Sequence, residues 1–254
     1  MPILPGAEPF QADGGDVAAL LVHGFTGTPQ SMRDWAEHHA AAGLTVRVPR
    51  LPGHGTTWQE CNRTRWEDWY ACVERELLAL AADHTVVVGG LSMGGALALR
   101  LAQEHPEHVA GLVLVNPAVR TEDWRIPLLP LLRRLTPSFP AIGGDIRKDG
   151  PSEIAYTRTP LHAGASVTRL QRTVRGDLSR VTAPIRLFRS AVDHVVPASS
   201  SAAVLAGVSS TDVEQVVLPD SYHVATLDHD AATVFGGSLA LARRVAADSG
   251  RVVA

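Results

Sequence analysis

Short runs of aliphatic residues alternate along this chain with longer segments that have a helical period. The runs are continuously apolar and are bounded by Gly, Pro, Asn or Asp, which is typical of strands covered on both faces in a parallel sheet. The predicted strands are Val17–Val22, Leu44–Val48, Thr85–Val88, Val109–Val115, Ile185–Phe188 and Glu214–Leu218, and the predicted helices are Ser31–Ala42, Arg65–Ala82, Gly94–Glu104, Ala198–Ala206 and Ala231–Asp248. Right-handed crossovers place such helices on both faces of the sheet, so the pattern predicts an α/β fold with a mostly parallel sheet.

A long segment between the fourth and fifth predicted strands breaks this pattern. From Val119 to Arg180 prolines and glycines interrupt the periodicity and no strand is evident, although a Thr- and Arg-rich stretch before Pro184 has a helical period. Loops longer than about 15 residues inside a compact domain are commonly functional lids or disordered segments. We therefore expect a core made of residues 1–118 and 182–254, with a cap inserted at residues 119–181.

The composition is that of one globular domain without affinity for nucleic acid. The 254 residues are 45% hydrophobic and 19% charged, a balance that allows a large buried core. The net charge of -3 and the lack of basic runs argue against nucleic-acid binding. Within residues 119–181, however, eleven Lys and Arg residues outnumber six Asp and Glu residues. Two interpretations stay open: transient contact with an anionic lipid interface, or a solvated surface without a partner, which charge runs more commonly form.

The cysteines and the N-terminal segment give no signal for a metal, a disulfide or export. Cys61 and Cys72 lie outside any CxxC pattern, so we interpret them as reduced, buried thiols. The segment Met1–Pro9 has no basic start and no uninterrupted apolar stretch, and no segment approaches the roughly twenty apolar residues that span a bilayer. These features predict a cytoplasmic protein.

The strongest chemical signal is the motif Gly90-Leu91-Ser92-Met93-Gly94. It follows a predicted strand and precedes a predicted helix, so the chain makes a sharp turn at the serine. Glycines on either side allow the close backbone approach that such a turn requires, and the turn exposes the hydroxyl beside a base. Ser92 is therefore the candidate nucleophile.

An activated serine needs a histidine as its base and a carboxylate that holds the imidazole. In this strand-turn-helix architecture both groups follow the serine in chain order, on loops after later strands. Asp193 comes soon after the strand Ile185–Phe188, and His223 lies between the strand Glu214–Leu218 and the last helix. We predict Asp193 as the acid and His223 as the base, and interpret His229 as a surface or capping residue.

Two backbone amides are predicted to stabilise the oxyanion that forms on the attacked carbonyl. One belongs to Met93, directly after the nucleophile, and the other to Phe25, in the loop after the first predicted strand. His23 and His54 are interpreted as residues that brace their loops rather than as metal ligands, because no HExxH pattern or carboxylate cluster accompanies them. The pair His38-His39 is interpreted as a solvated helix face. This chemistry requires no metal and no organic cofactor.

The quoted motifs resemble those of bacterial monoacylglycerol lipases and the related small carboxylesterases of the α/β-hydrolase superfamily. The likeness covers nearly the whole chain and is carried by the stretches Leu20–Pro29, Pro49–Thr56, Gly90–Gly95, Asp193–Pro197 and Ser221–Asp228. The resemblance implies the α/β-hydrolase fold and the same roles for Ser92, Asp193, His223, Phe25 and Met93.

The same resemblance implies a small cap over a hydrophobic acyl tunnel. In that family an isoleucine borders the tunnel and a glutamate meets the alcohol end of the substrate, and the matching positions here are Ile142 and Glu153. A carboxylate accepts two hydroxyl hydrogen bonds, and a glycerol monoester has two free hydroxyls. The predicted function is hydrolysis of a small-molecule ester, favouring a monoacylglycerol. The alternatives are a broad short-chain carboxylesterase and a non-catalytic hydrolase-fold protein that only binds a ligand.

Overall fold

The computed structural model describes residues 1–141 and 144–248, with a seven-stranded sheet at its centre. The strand order is β1-β3-β2-β4-β5-β8-β9, and every neighbouring pair is parallel except β1 and β3. The described strands are, in chain order, β1 Phe10–Ala12, β2 Gly15–Val22, β3 Leu44–Val48, β4 Thr85–Leu91, β5 Gly111–Val115, β6 Ser138–Pro140, β7 Arg158–Pro160, β8 Ile185–Ser190 and β9 Val213–Leu218. The prediction of an α/β fold with a mostly parallel sheet is confirmed.

Helices cover both faces of this sheet. The described α-helices are α1 Arg33–Ala41, α2 Trp58–Cys61, α3 Trp66–Ala81, α4 Met93–Glu104, α5 Leu129–Leu135, α6 Leu161–Gly176, α7 Ala198–Gly207 and α8 Ala231–Asp248. All five predicted helices are present, within a few residues of their predicted ends. None of the helices within the described residues is long and apolar enough to cross a membrane.

The core lies in two layers, one on each side of the sheet, and alternate residues of β4 enter each layer. Val86 and Val88 pack with residues of α3, α4 and α6, while Val87 and Leu91 pack with residues of α1 and α8. Burial on both faces explains why the strand sequences are continuously apolar. The strand order places β4 in the middle of the sheet, between β2 and β5.

The chain leaves the sheet between β5 and β8, where the sequence predicts an insertion. This segment contains α5, the antiparallel pair β6 and β7, and α6. The expectation that no strand occurs here is wrong: Ser138–Pro140 pairs with Arg158–Pro160, but strands of three residues with prolines are too short to show an alternating pattern. Helix α6 is anchored to the core, because its Leu170 and Val174 belong to the same cluster as α3 and α4.

Two further interpretations are tested by burial. Cys61 and Cys72 are free and buried, as expected. His39 is fully buried, so the interpretation of His38-His39 as a solvated face is wrong for His39. Its Nε2 lies 2.9 Å from Oγ of Ser238 on α8, which covers this side of α1.

Candidate active site

Ser92 occupies the turn between β4 and α4 in a conformation that side chains rarely adopt. Its φ is 56°, and its main-chain N–H donates to the carbonyl oxygen of Val115 on the neighbouring strand at 2.9 Å. Glycines are required on both sides, because a Cβ on Gly90 would overlap the backbone of Gly94, and a Cβ on Gly94 would overlap the carbonyl of Val22. Strain of this kind is typical of a nucleophile turn, where the hydroxyl is lifted out of the sheet.

Asp193 and His223, the predicted acid and base, are joined by a hydrogen bond. Nδ1 of His223 donates to Oδ2 of Asp193 at 2.8 Å, and both side chains are less than a tenth exposed. The other carboxylate oxygen, Oδ1, accepts from the main-chain N–H groups of Val195 and Val196 at 2.8 and 2.7 Å. Burial alone would raise the pKa of the Asp193 carboxyl, but the hydrogen bond from His223 and these amides hold the pKa below its ordinary value. The imidazole proton therefore lies on Nδ1, which leaves Nε2 of His223 free to act as a base.

His23 fixes the peptide that carries the candidate oxyanion donor. The Leu51 N–H donates to Nε2 of His23 at 3.2 Å, so the ring proton lies on Nδ1, which donates to the carbonyl oxygen of Gly24 at 2.9 Å. Burial lowers the pKa of His23 to about 4 and that of the neighbouring His54 to about 3, so both rings are neutral at pH 7. In a trans peptide the C=O and N–H groups point in opposite directions, so the N–H of Phe25 points away from His23.

The loop and the serine turn are in contact. A Cβ on Gly24 would lie 3.5 Å from Cβ of Ser92, so the backbone of residues 23–27 passes close to the serine. Thr26 in this loop also has a positive φ, of 64°. Met93 begins α4, where main-chain N–H groups have no partner within the helix. The structure therefore places the backbone of Phe25 and Met93 around the serine, where two amides could hold an oxyanion.

A cavity of about 390 Å³ joins these groups to the inserted segment. Phe25, Ser92, Met93 and His223 line it on the core side. The inserted segment contributes both apolar and polar side chains. The apolar ones include Ile126, Leu129, Leu132, Phe139, Leu161 and Val167, and the charged ones are Arg120, Asp123, Arg125, Asp145 and Glu153. Apolar side chains beside the candidate nucleophile suit a substrate with a hydrocarbon chain.

Glu153 lines the same cavity beside the candidate oxyanion loop, which comprises residues 23–27. A Cβ on Gly27 would lie 2.6 Å from Oε1 of Glu153, so the carboxylate packs against the loop backbone. Burial raises the pKa of Glu153, and the charge of His223 and the amide of Gly144 only partly oppose this shift. Ile142, the second predicted substrate contact, lies outside the described residues.

Two carboxylates that the sequence did not indicate as functional hold the loop of His223. Asp145 accepts from the main-chain N–H groups of His194 and His223 at 3.1 and 3.2 Å, and from Nδ1 of His194 at 2.8 Å. Asp228 accepts from four main-chain N–H groups, those of Arg147, Lys148, Tyr222 and His229. Asp228 ends the stretch Ser221–Asp228 that carries the family resemblance, and Asp145 lies in the resembling segment that begins at Ile142, but no role is predicted for either aspartate.

The order of the strands and the serine turn at the end of β4 are those of the α/β-hydrolases, and this chain has that fold. The family model described as serine aminopeptidase, S33, matches residues 16–230, and the chain belongs to this family of serine hydrolases. Across residues 1–141 and 144–248, no group of three or more His, Cys, Asp or Glu side chains is placed to hold a metal ion.

Several similar proteins are named as enzymes that act on esters or lipids. A thermostable monoacylglycerol lipase of Bacillus sp. strain H-257 is 43% identical over 243 residues, which cover 94% of this chain and 95% of that protein. A carboxylesterase of Bacillus subtilis strain 168 is 26% identical over 226 residues, covering 88% of this chain and 91% of that protein. A solved structure connected with the metagenome-derived lipolytic enzymes LipS and LipT is 39% identical, covers 96% of this chain and 100% of that chain, and superposes with a TM-score of 0.93.

Proposed function

We propose that this serine hydrolase cleaves monoacylglycerols to a free fatty acid and glycerol. The observation that carries the proposal is the cavity, in which apolar side chains lie together with Ser92, His223 and the carboxylate of Glu153. The apolar walls suit the acyl chain, and the carboxylate suits the two hydroxyls of the glycerol. The relative named as a monoacylglycerol lipase, with 43% identity, supports this substrate class.

The proposed reaction has two steps. Nε2 of His223 takes the proton of Ser92 as Oγ attacks the ester carbonyl, and the amides of Phe25 and Met93 stabilise the oxyanion. Asp193, held by the N–H groups of Val195 and Val196, stabilises the imidazolium. The imidazolium then protonates the departing glycerol oxygen, and an acyl-enzyme remains. In the second step His223 deprotonates a water molecule that attacks the acyl-enzyme, which releases the fatty acid and returns the proton to Ser92.

Residues 119–181 act in this proposal as a cap over the acyl site, on a core of residues 1–118 and 182–254. The cap is anchored by α6 and by Tyr156, whose hydroxyl donates to the carbonyl oxygen of Gly53 at 2.6 Å. Its outer surface is apolar and basic: Leu131 and Leu135 of α5 are 58% and 75% exposed, and Arg133 and Arg134 lie between them. We propose that this surface makes transient contact with an anionic lipid interface, from which the substrate enters.

The test is a comparison of substrates with the wild type and Ser92→Ala. We expect rapid hydrolysis of 1-monooleoylglycerol, slow hydrolysis of dioleoylglycerol and trioleoylglycerol, and labelling of Ser92 by a fluorophosphonate. Ser92→Ala should lose both hydrolysis and labelling.

Turnover of p-nitrophenyl butyrate without monoglyceride turnover would replace the proposal with a short-chain carboxylesterase. Turnover of alanine p-nitroanilide alone would replace it with a peptidase, and a wild type that does not react with the fluorophosphonate would be a binding protein.

A further inference from the structure

Asn116 has a strained backbone at the site, and the proposed reaction gives it no role. Among the described residues other than glycine, positive φ angles occur at Thr26, Ser92 and Asn116. The first two lie in the oxyanion loop and at the nucleophile. Asn116 has a φ of 43°, directly follows β5 and is 1% exposed. Strain that persists at a buried position indicates that the surrounding contacts require it.

The side-chain amide of Asn116 makes three hydrogen bonds, which join it to Ser190 and His223. Nδ2 donates to the main-chain carbonyl oxygen of His223 at 2.8 Å and to Oγ of Ser190 at 2.9 Å, while Oδ1 accepts from the N–H of Ser190 at 2.8 Å. The Ser190 hydroxyl in turn donates to the carbonyl oxygen of Tyr222 at 2.7 Å. If the Asn116 amide were turned over, its Oδ1 would face the carbonyl oxygen of His223, and two acceptors cannot form a hydrogen bond. The hydrogen bonds therefore fix which side of the amide carries Nδ2.

These contacts join the two loops that carry the acid and the base. Ser190 ends β8, three residues before Asp193, and the carbonyl bound by Nδ2 belongs to His223 itself. The residues around Asn116 also hold the nucleophile turn: the Ser92 N–H donates to Val115 at 2.9 Å, and the Ala118 N–H donates to the Ser92 carbonyl oxygen at 3.0 Å. The end of β5 therefore contacts the backbone of the nucleophile, the acid loop and the base.

We propose that Asn116 is a positioning residue that sets the distance between Ser92 and the pair formed by Asp193 and His223. The inference rests on the roles proposed above for these three residues. Because its side chain reaches His223 through a main-chain carbonyl, Asn116 acts on the base without touching substrate. The left-handed backbone is part of this role, since it is the local conformation from which the amide makes these contacts.

The variants Asn116→Asp and Asn116→Ala separate its donors from its acceptor. Asp tolerates a positive φ and keeps an oxygen for the Ser190 N–H, but it cannot donate to His223 unless protonated, whereas Ala removes both interactions. The matched control is Gln103→Ala. Gln103 is also a fully buried amide that donates to a main-chain carbonyl, that of Val174 at 2.9 Å, but it lies near the opposite end of α4 from Ser92.

The readouts are kcat and KM on p-nitrophenyl butyrate, the rate constant for fluorophosphonate labelling of Ser92, and Tm, with rates compared at equal folded fraction. For both Asn116 variants we expect kcat and the labelling rate to fall together by about 10- to 100-fold with little change in KM, because a displaced base slows each attack by Ser92. Gln103→Ala should lose a similar amount of Tm and keep its rates within about twofold.

The inference is overturned if Asn116→Asp retains the kcat and labelling rate of Gln103→Ala while the wild type is active. If Asn116→Ala does not fold, Asn116→Asp alone tests the inference. A wild type that neither hydrolyses the ester nor reacts with the fluorophosphonate would overturn the proposed function, and the inference with it.

Discussion

Gly27 and Glu153 are in such close contact that a Cβ atom on Gly27 would lie 2.6 Å from Oε1 of Glu153. The absence of a side chain at position 27 therefore provides the space in which the carboxylate lies. Gly27 belongs to the candidate oxyanion loop and Glu153 packs against it, so the position of this carboxylate is set by the same loop that is proposed to hold the reacting carbonyl.

Gly27→Ala is expected to displace the Glu153 carboxylate. If Glu153 recognises the glycerol hydroxyls, kcat/KM for 1-monooleoylglycerol should fall about tenfold more than kcat/KM for p-nitrophenyl butyrate, since a hydrogen bond to a charged group is lost. Gly176→Ala is the control, because a Cβ there meets no atom within 4 Å. Equal losses on both substrates would show that Gly27 serves only the oxyanion loop.

Glu153→Ala tests the same recognition directly. We expect it to reduce monoglyceride turnover by about tenfold or more and alkyl ester turnover much less, because only the glyceryl ester presents hydroxyls to the carboxylate. The measurement is the ratio of kcat/KM for 1-monooleoylglycerol to that for p-nitrophenyl butyrate. An unchanged ratio would remove Glu153 from substrate recognition and leave it as a carboxyl group packed against Gly27.

Asp145→Asn should slow the reaction although Asp145 belongs to the inserted segment. Asp145 accepts hydrogen bonds from the main-chain N–H groups of His194 and His223, and an uncharged amide replaces these charge-assisted contacts only in part. We expect kcat on p-nitrophenyl butyrate to fall by about tenfold, with KM nearly constant. Asp149→Asn, at an exposed position of the same segment, is the control. Loss of Tm without loss of kcat would limit Asp145 to a structural role.

Three buried histidines should make the protein less stable as the pH is lowered. Burial lowers the pKa of His23 to about 4 and the pKa of His39 and His54 to about 3, whereas the unfolded chain titrates near 6.5. Between about pH 6.5 and 4 the unfolded state therefore binds more protons, and each histidine reduces the free energy of unfolding by about 1.4 kcal/mol per pH unit.

The check is Tm measured at half-unit intervals from pH 7 to pH 4.5. His39→Gln should reduce the loss of Tm per pH unit, because it removes one buried titrating ring that is remote from Ser92. His162→Gln, at an exposed position, is the matched control. An identical pH dependence in wild type and His39→Gln would contradict the burial argument.

The sheet and the order of the candidate triad were predictable because both follow from local sequence. The apolar residues of β4 and β5 identify buried strands, and Ser92, Asp193 and His223 each follow a strand in the expected order. The roles predicted for these residues stay predictions until variants are measured, although the structure joins Asp193 and His223 by a hydrogen bond.

What local sequence did not predict depends on contacts between distant residues. His39 lies in a polar helix and is buried because α8, 199 residues further along, places Ser238 against it. Asn116 and Asp145 form hydrogen bonds with main-chain groups 49 to 107 residues away, and a main-chain partner leaves no pattern of side chains in the sequence. The strands β6 and β7 are three residues each, too short for a periodic signal.

The surface of α5 should bind anionic vesicles more strongly than neutral ones. Leu131 and Leu135 of α5 are exposed one helical turn apart, Trp124 and Leu128 are exposed in the segment just before the helix, and Arg133 and Arg134 add positive charge. Leu131→Ser combined with Leu135→Ser should reduce co-sedimentation with phosphatidylglycerol vesicles by about tenfold, since two apolar side chains no longer enter the interface. The double variant should keep its turnover of soluble p-nitrophenyl butyrate, because neither leucine lines the cavity.

Leu78→Ser, exposed on α3, is the matched control. Vesicle binding that is equal in all three proteins, or independent of lipid charge and of salt, would argue for a solvated surface on α5 instead.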